Sequence, residues 1–79
     1  MALERYNLTF NSQMTDKPIL QEIGKKYDLI VNIERANVSE GSGWVQVALT
    51  GEPEEIQRAI AYLNTVGVFV TPIELAMLS

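Results

Sequence analysis

The side chains that most often carry chemistry are missing from this sequence. Among 79 residues there is no cysteine and no histidine. That removes thiol nucleophiles, disulfides, zinc and iron–sulfur sites, and every imidazole-based proton transfer. What remains is a set of carboxylates and hydroxyls. Glu34, Glu40, Glu52, Glu54 and Glu55 are the candidate oxygen ligands for a cation. The last three sit where a helix should begin, and the helix dipole accounts for acids there. Ser12, Thr15 and Asp16 share one loop. Without histidine, a hydroxyl nucleophile in that loop would need a lysine or a carboxylate as its base. Helix capping explains Thr15 and Asp16 at lower cost. The chain is therefore expected to be no enzyme and to hold no metal or cofactor.

Two residues point to binding instead. Asn32 interrupts the apolar sequence Ile30-Val31-Asn32-Ile33, although asparagine is a poor strand former. One reading is a half-exposed edge position; the other is an amide that offers a donor and an acceptor to a ligand at a strand edge. Trp44 faces away from the expected core together with Ala48. Tryptophan is a frequent interface anchor, so Trp44 and Ala48 are read as a dimer interface.

Ten acidic residues against six basic ones give a net charge of −4, which opposes binding to a phosphate backbone. No nucleic-acid partner is expected. No apolar run approaches the roughly 18 residues of a membrane span, and the first residues lack a signal-peptide pattern. These readings place the protein in the cytoplasm without membrane insertion. Apolar residues make up 47% and charged residues 20% of the chain, a composition that folds. A domain this small buries about 60–65% of its unfolded surface, and pairing with a second copy would add to its core.

The elements that must position these residues follow from periodicity. Arg5–Phe10 alternates, with Tyr6, Leu8 and Phe10 on one face, and reads as a strand. Pro18 suits a first helical turn, and Ile19, Leu20, Ile23 and Tyr27 share a face, which predicts a helix over about 17–27. From Leu29 the period returns to two, with Leu29, Val31 and Ile33 on one side and Ile30, Asn32 and Glu34 on the other. Residues 39–43 form a turn by composition. Trp44–Thr50 alternates again, with Val45, Val47 and Leu49 inward. Gly51-Glu52-Pro53 starts a second helix with an Ile56, Ala59, Ile60 and Leu63 stripe, and Gly67 is its stop. Val68–Val70 is a short apolar strand, and an apolar tail follows. The order β-α-β-β-α-β predicts a ferredoxin-like α+β sandwich: a four-stranded antiparallel sheet with two helices on one face. Its second face should carry Arg5, Asn7, Thr9, Asn32, Glu34, Trp44 and Gln46, with Trp44 as the outward aromatic.

The chain also resembles the NIL domain, a small ligand-binding module found at the C-terminus of bacterial methionine-import ABC transporter ATPases. The resemblance runs from Arg5 to about Val70. It is carried by Arg5–Phe10, Asp16-x-Pro18-x-Leu20, Lys25-Lys26-Tyr27, Val31-Asn32-Ile33, Leu49-Thr50-Gly51 and Ala59–Leu63 before Val68. It implies one NIL-like domain over 1–79, with its core at about 4–72 and a tail at 73–79. It further implies a regulatory role, a homodimer, and an amino-acid-like ligand such as methionine at the second-strand edge or the dimer interface. Asn32 matches the motif asparagine and Ile33 its neighbour, while Glu34 stands where the family has leucine or isoleucine. A ligand with a free amino group would pair with Glu34. No Walker-type loop is present, so a stand-alone module would act on a separate protein partner or on its own association state. The alternative is a protein–protein assembly module without a working ligand site.

Overall fold

Period-two hydrophobicity in four segments and period-3.6 stripes in two others leave one economical arrangement, in which both stripes bury against one face of one sheet. A computed structural model describes residues 1–11, 19–39 and 42–73 and has this arrangement. The elements are β1 (Ala2–Asn11), α1 (Ile19–Lys26), β2 (Ile30–Ser39), β3 (Ser42–Gly51), α2 (Pro53–Thr65) and β4 (Phe69–Pro72). The strands are antiparallel in the order β2-β3-β1-β4, the ferredoxin-like topology. Ser12, Thr15, Asp16, Pro18, Glu40 and the tail beyond Ile73 lie outside the described residues.

The core is one layer between the sheet and the helices. Leu8, Val47 and Leu49 from the central strands meet Ile23 of α1 and Ile56, Ala59 and Leu63 of α2, all with no exposed surface. Tyr6 and Phe10 join them, as the alternation of β1 requires. The helices are joined above this layer. The Tyr62 hydroxyl donates to Glu22 at 3.1 Å. The Tyr27 and Tyr62 rings lie 6.1 Å apart, and the Lys26 ammonium stands 4.3 Å from the Tyr62 ring centre. That cation–π contact ties α1 to α2 at their exposed ends.

Several boundaries differ from those read in the sequence. β1 begins at Ala2 and β3 ends at Gly51, because these ends pair with each other. β2 begins at Ile30 rather than Leu29, and a bulge between Ile33 and Arg35 breaks its alternation. β4 runs Phe69–Pro72 and pairs with Tyr6–Thr9 of β1. Within this apolar strand Phe69 is 71% exposed, because the edge strand has helix cover on one side only.

Both helices end in the same way. After α2, the Val68 amide donates to the Leu63 carbonyl at 2.9 Å and the Gly67 amide to that of Asn64 at 3.2 Å, with Gly67 at φ +96°. This is the Schellman arrangement, in which a left-handed residue turns the chain so that the last carbonyls find donors. After α1, the Leu29 amide donates to Gly24 at 3.3 Å. The left-handed position there is held by Asp28 at φ 54°, where an L-residue with a Cβ is strained. Asp28→Gly should therefore stabilise the fold by about 0.5–1 kcal/mol and Gly67→Ala should destabilise it by about 1 kcal/mol. A Cβ at Gly67 would meet nothing within 4 Å, so that cost is one of backbone conformation alone. Thermal melts of the two variants should move in opposite directions by about 2–8 °C.

Candidate functional site

The face of the sheet away from the helices has no cover among the described residues, and the strand register fixes its map. Leu3, Thr50 and Ile30 form one row, and Arg5, Ala48 and Asn32 the next. Asn7 and Gln46 follow, with Arg35 and Thr71 at the two flanks. Thr9 lies between Trp44 and Phe69 in the last row. The face is thus polar in the middle and apolar at both ends, and Trp44 is not its only aromatic.

The polar middle is organised around Glu34. The bulge in β2 turns its carboxylate over the sheet, where Arg5 Nε donates to both carboxylate oxygens at 3.1 Å. Gln46 Nε2 adds a third contact to Oε1 at 3.3 Å. One N–H of Arg5 is used in this way, and its terminal N–H groups have no protein acceptor among the described residues. A guanidinium offers five donors in a planar fork, so Arg5 can hold Glu34 and still take a second carboxylate. Asn32 shares the row of Arg5 and is exposed. Ala48, between them, is only 3% exposed. It is covered within its own chain, so it forms the floor of this cluster and contributes little surface of its own. Chemically, the cluster offers a fork of donors for an anion, a carboxylate for a cation, and an amide that can do either.

The model of the NIL domain family matches residues 4–72. The chain belongs to the NIL domain family. Methionine import ATP-binding protein MetN 2 of Bacillus cereus is 39% identical over 63 residues, covering 75% of this chain and 19% of the relative. The protein of the same name from Lactiplantibacillus plantarum is 40% identical over 65 residues, with 77% and 19% covered. This NIL domain therefore spans about a fifth of the length of these curated relatives. Among solved structures, the C-terminal domain of an ABC transporter ATP-binding protein from Enterococcus faecalis superposes with a TM-score of 0.79 at 27% identity. That match covers 89% of this chain and 82% of the other. A designed protein, Foldit4, is similar in fold alone, with a TM-score of 0.59 at 15% identity.

Within this NIL domain the sequence-predicted ligand residues divide between two sides of β2. Asn32 and Glu34 lie on the open face, whereas Ile33 pairs with the buried Val47 and turns to the helix side. There it is 54% exposed and lines a shallow groove of about 410 Å³ with Leu20, Gln21, Gly24, Lys25 and Val31. Trp44, at the far end of the open face, is 36% exposed. Sequence reasoning placed Ile30 on this side but missed Leu3 and Phe69 as further exposed apolar residues of the face that carries Trp44. The alternation Leu3-Arg5-Asn7-Thr9 would have supplied the first of them. Glu54 and Glu55 occupy the first turn of α2 as expected, and Glu55 accepts a contact from Arg58 at 3.1 Å. Glu52 lies 3.9 Å from the amino terminus. Among the described residues, no group of three acidic side chains is placed to hold a cation. No described helix is long and apolar enough to cross a membrane.

The strongly shifted ionisable group belongs to the core side, not to the open face. Burial pushes the Tyr6 phenol up to about 12, and its hydrogen bond to the Glu4 carboxylate pushes in the same direction. The Tyr62 phenol is also raised, chiefly by donating to Glu22. Between pH 10 and about 12 the unfolded chain loses the Tyr6 proton while the folded chain keeps it. The stability linked to Tyr6 is therefore complete below pH 10 and is lost as the pH rises through about 12. An alkaline absorbance titration should show a late-ionising phenol that is absent in Tyr6→Phe, and that variant should lose less stability between pH 10 and about 12 than the parent chain.

Proposed function

We propose that this NIL domain is a small regulatory module of the cytoplasm that binds an amino acid and acts through association rather than catalysis. The observation that carries the reading is the cluster of Arg5, Asn32, Glu34 and Gln46 over Ala48, set between two apolar ends of an open sheet face. An amino acid is a carboxylate and an ammonium joined to one side chain, and the cluster offers a partner to each. The terminal N–H groups of Arg5 take the carboxylate and Glu34 takes the ammonium. The Asn32 amide fixes the orientation of the pair. Arg5 and Glu34 are held together before any ligand arrives, so a zwitterion adds to an existing ion pair instead of having to assemble isolated charges. An apolar ligand side chain then lies over Ile30 and Leu3 or towards Trp44 and Phe69. Methionine has the required chemistry, and the relatives' printed name, methionine import ATP-binding protein, supports it.

The same face supports a homodimer. A ligand held on an open sheet stays largely in water unless something covers it, and a second copy brings Trp44, Leu3, Ile30 and Phe69 for that purpose. Ligand binding would then shift the association equilibrium by its differential affinity for the two states. The output passes to a separate protein partner or to the dimer itself. One observation favours a second reading, in which the face serves assembly alone. Both Glu34 oxygens already accept hydrogen bonds from Arg5 and Gln46, and the charge itself departs from the family's apolar residue at this position.

The two readings separate in a thermal-shift experiment. Methionine at 100 times its dissociation constant adds about 2.7 kcal/mol to the folded state, a rise of about 10 °C or more for a domain of this size. Asn32→Ala should remove that shift and leave the melt without ligand nearly unchanged. If no amino acid moves the melt at millimolar concentration while Trp44→Ala weakens self-association, the assembly reading replaces the ligand-binding one.

A further inference from the structure

The bulge in β2 sets two of its residues, Glu34 and Arg35, against the single Gln46 of β3. Strict alternation from Ile33 would turn Arg35 towards the helices. With the bulge, Arg35 becomes the partner of Gln46, and partners across an antiparallel pair share a face. Arg35 therefore stands on the open sheet face, where it is exposed and makes no ion pair among the described residues. Its chain neighbour Glu34 is turned to Arg5 and Gln46 instead.

Charge on this face runs against charge on the chain. Among the described residues its charged side chains are Arg5, Glu34 and Arg35, an excess of one cation in a chain of net charge −4. A neutral zwitterion held between Arg5 and Glu34 leaves that excess in place. Two copies meeting through this face would then each bring an unmatched cation into an interface that excludes water, and like charges there oppose association. A ligand with one net negative charge cancels the excess. The geometry has room for it. Arg5 and Arg35 lie on the two strands that flank β3, against Ala48 and Gln46. Two strand spacings across and two residues along set their Cα atoms about 12 Å apart, a gap that a short molecule with an acid group at each end can bridge between two long side chains.

The geometry points, on the amino-acid-binding reading given above, to an acidic amino acid (aspartate or glutamate) as the preferred ligand, with Arg35 as the residue that selects it. The α-carboxylate lies on the terminal N–H groups of Arg5 and the ammonium on Glu34. The side-chain carboxylate crosses Gln46 to the Arg35 guanidinium, whose planar fork accommodates a carboxylate bidentately. Methionine and glutamine make the first two contacts and leave Arg35 without an anion. The same charge links binding to association. An acidic ligand neutralises each face before two copies meet, so it favours the dimer more than a ligand with an uncharged side chain does.

Calorimetric titration of the full chain at constant ionic strength compares glutamate with glutamine and aspartate with asparagine, pairs that differ in one charge and hardly in shape. At least one acid should bind about tenfold more tightly than its amide. Arg35→Gln should bring that ratio to about one, and Arg35→Lys, which keeps the charge, should retain part of it. Both variants change an exposed side chain and should melt with the parent chain, so a lost ratio is not a lost fold. Sedimentation should show more dimer with saturating acid than with saturating amide. The preference for an acid is overturned by itself if methionine or an amide binds and neither acid binds more tightly. It is equally overturned if Arg35→Gln keeps the ratio, or if acid and amide raise the dimer alike. If acids, amides and methionine all fail to bind at millimolar concentration, the amino-acid reading falls and the preference falls with it.

Discussion

Two helices cover one face of a four-stranded sheet, and the described residues place no layer on the other. Every other feature of this domain answers that constraint. β1 and β3 occupy the middle of the sheet, so their inward residues form the core and their outward residues form the functional surface. The same ten-residue ladder does both jobs. On the inward side the solution is dense packing of Leu8, Val47, Leu49, Ile23, Ile56 and Leu63. The outward side uses a hydrogen-bonded ion pair laid over Ala48, with apolar residues displaced to the two ends. A partly exposed pair of this kind contributes about 0–1 kcal/mol to stability. Its physical role is to fix where a donor fork and a carboxylate stand.

Much of this was legible in the residues because burial and periodicity coincide. The parity of Tyr6, Leu8 and Phe10 placed the inward side of β1, and thereby placed Arg5, Asn7 and Thr9 outside. The helix stripes and the glycine stop at Gly67 were equally plain. The failures have a common cause: each depends on a neighbour that sequence spacing does not name. The bulge after Ile33 arises in the pairing of β2 with β3, so simple alternation places Glu34 beside Arg5 on the open face but does not describe β2 from Arg35 onwards. The exposure of Phe69 comes from the position of β4 at the sheet edge, which the apolar run around it does not announce. Asp28 gave no sign of its left-handed backbone, because aspartate is common in many turns and glycine is the usual marker. Ile33 seemed to stand with Asn32 as one motif, yet adjacent residues of a strand face opposite ways.

That last point reorganises the family motif. Val31-Asn32-Ile33 and the following Glu34 form a continuous stretch in the chain but two surfaces in space. Asn32 and Glu34 serve the open sheet, and Val31 and Ile33 serve the groove beside α1. The cluster that joins α1 to α2 (Glu22, Lys26, Tyr27 and Tyr62) holds the far wall of that groove in place. A change at the open face and a change at the groove are therefore separated by one strand's thickness and share the backbone of β2.

The register of the central ladder also sets the order in which the fold can assemble. β2 and β3 are joined by a short connection, and their pairing can close outwards from Ser39 and Ser42 like a zip. β1 and β3 have no such start: their nearest partners, Asn11 and Ser42, are 31 positions apart, and their farthest, Ala2 and Gly51, are 49 apart. Closing a loop of that size costs entropy before any contact repays it. The two strands at the heart of the native domain are thus a late meeting in the life of the chain. The β2–β3 hairpin is the template they meet on, and the amino-terminal strand, which carries Arg5, arrives after the surface that receives it has formed.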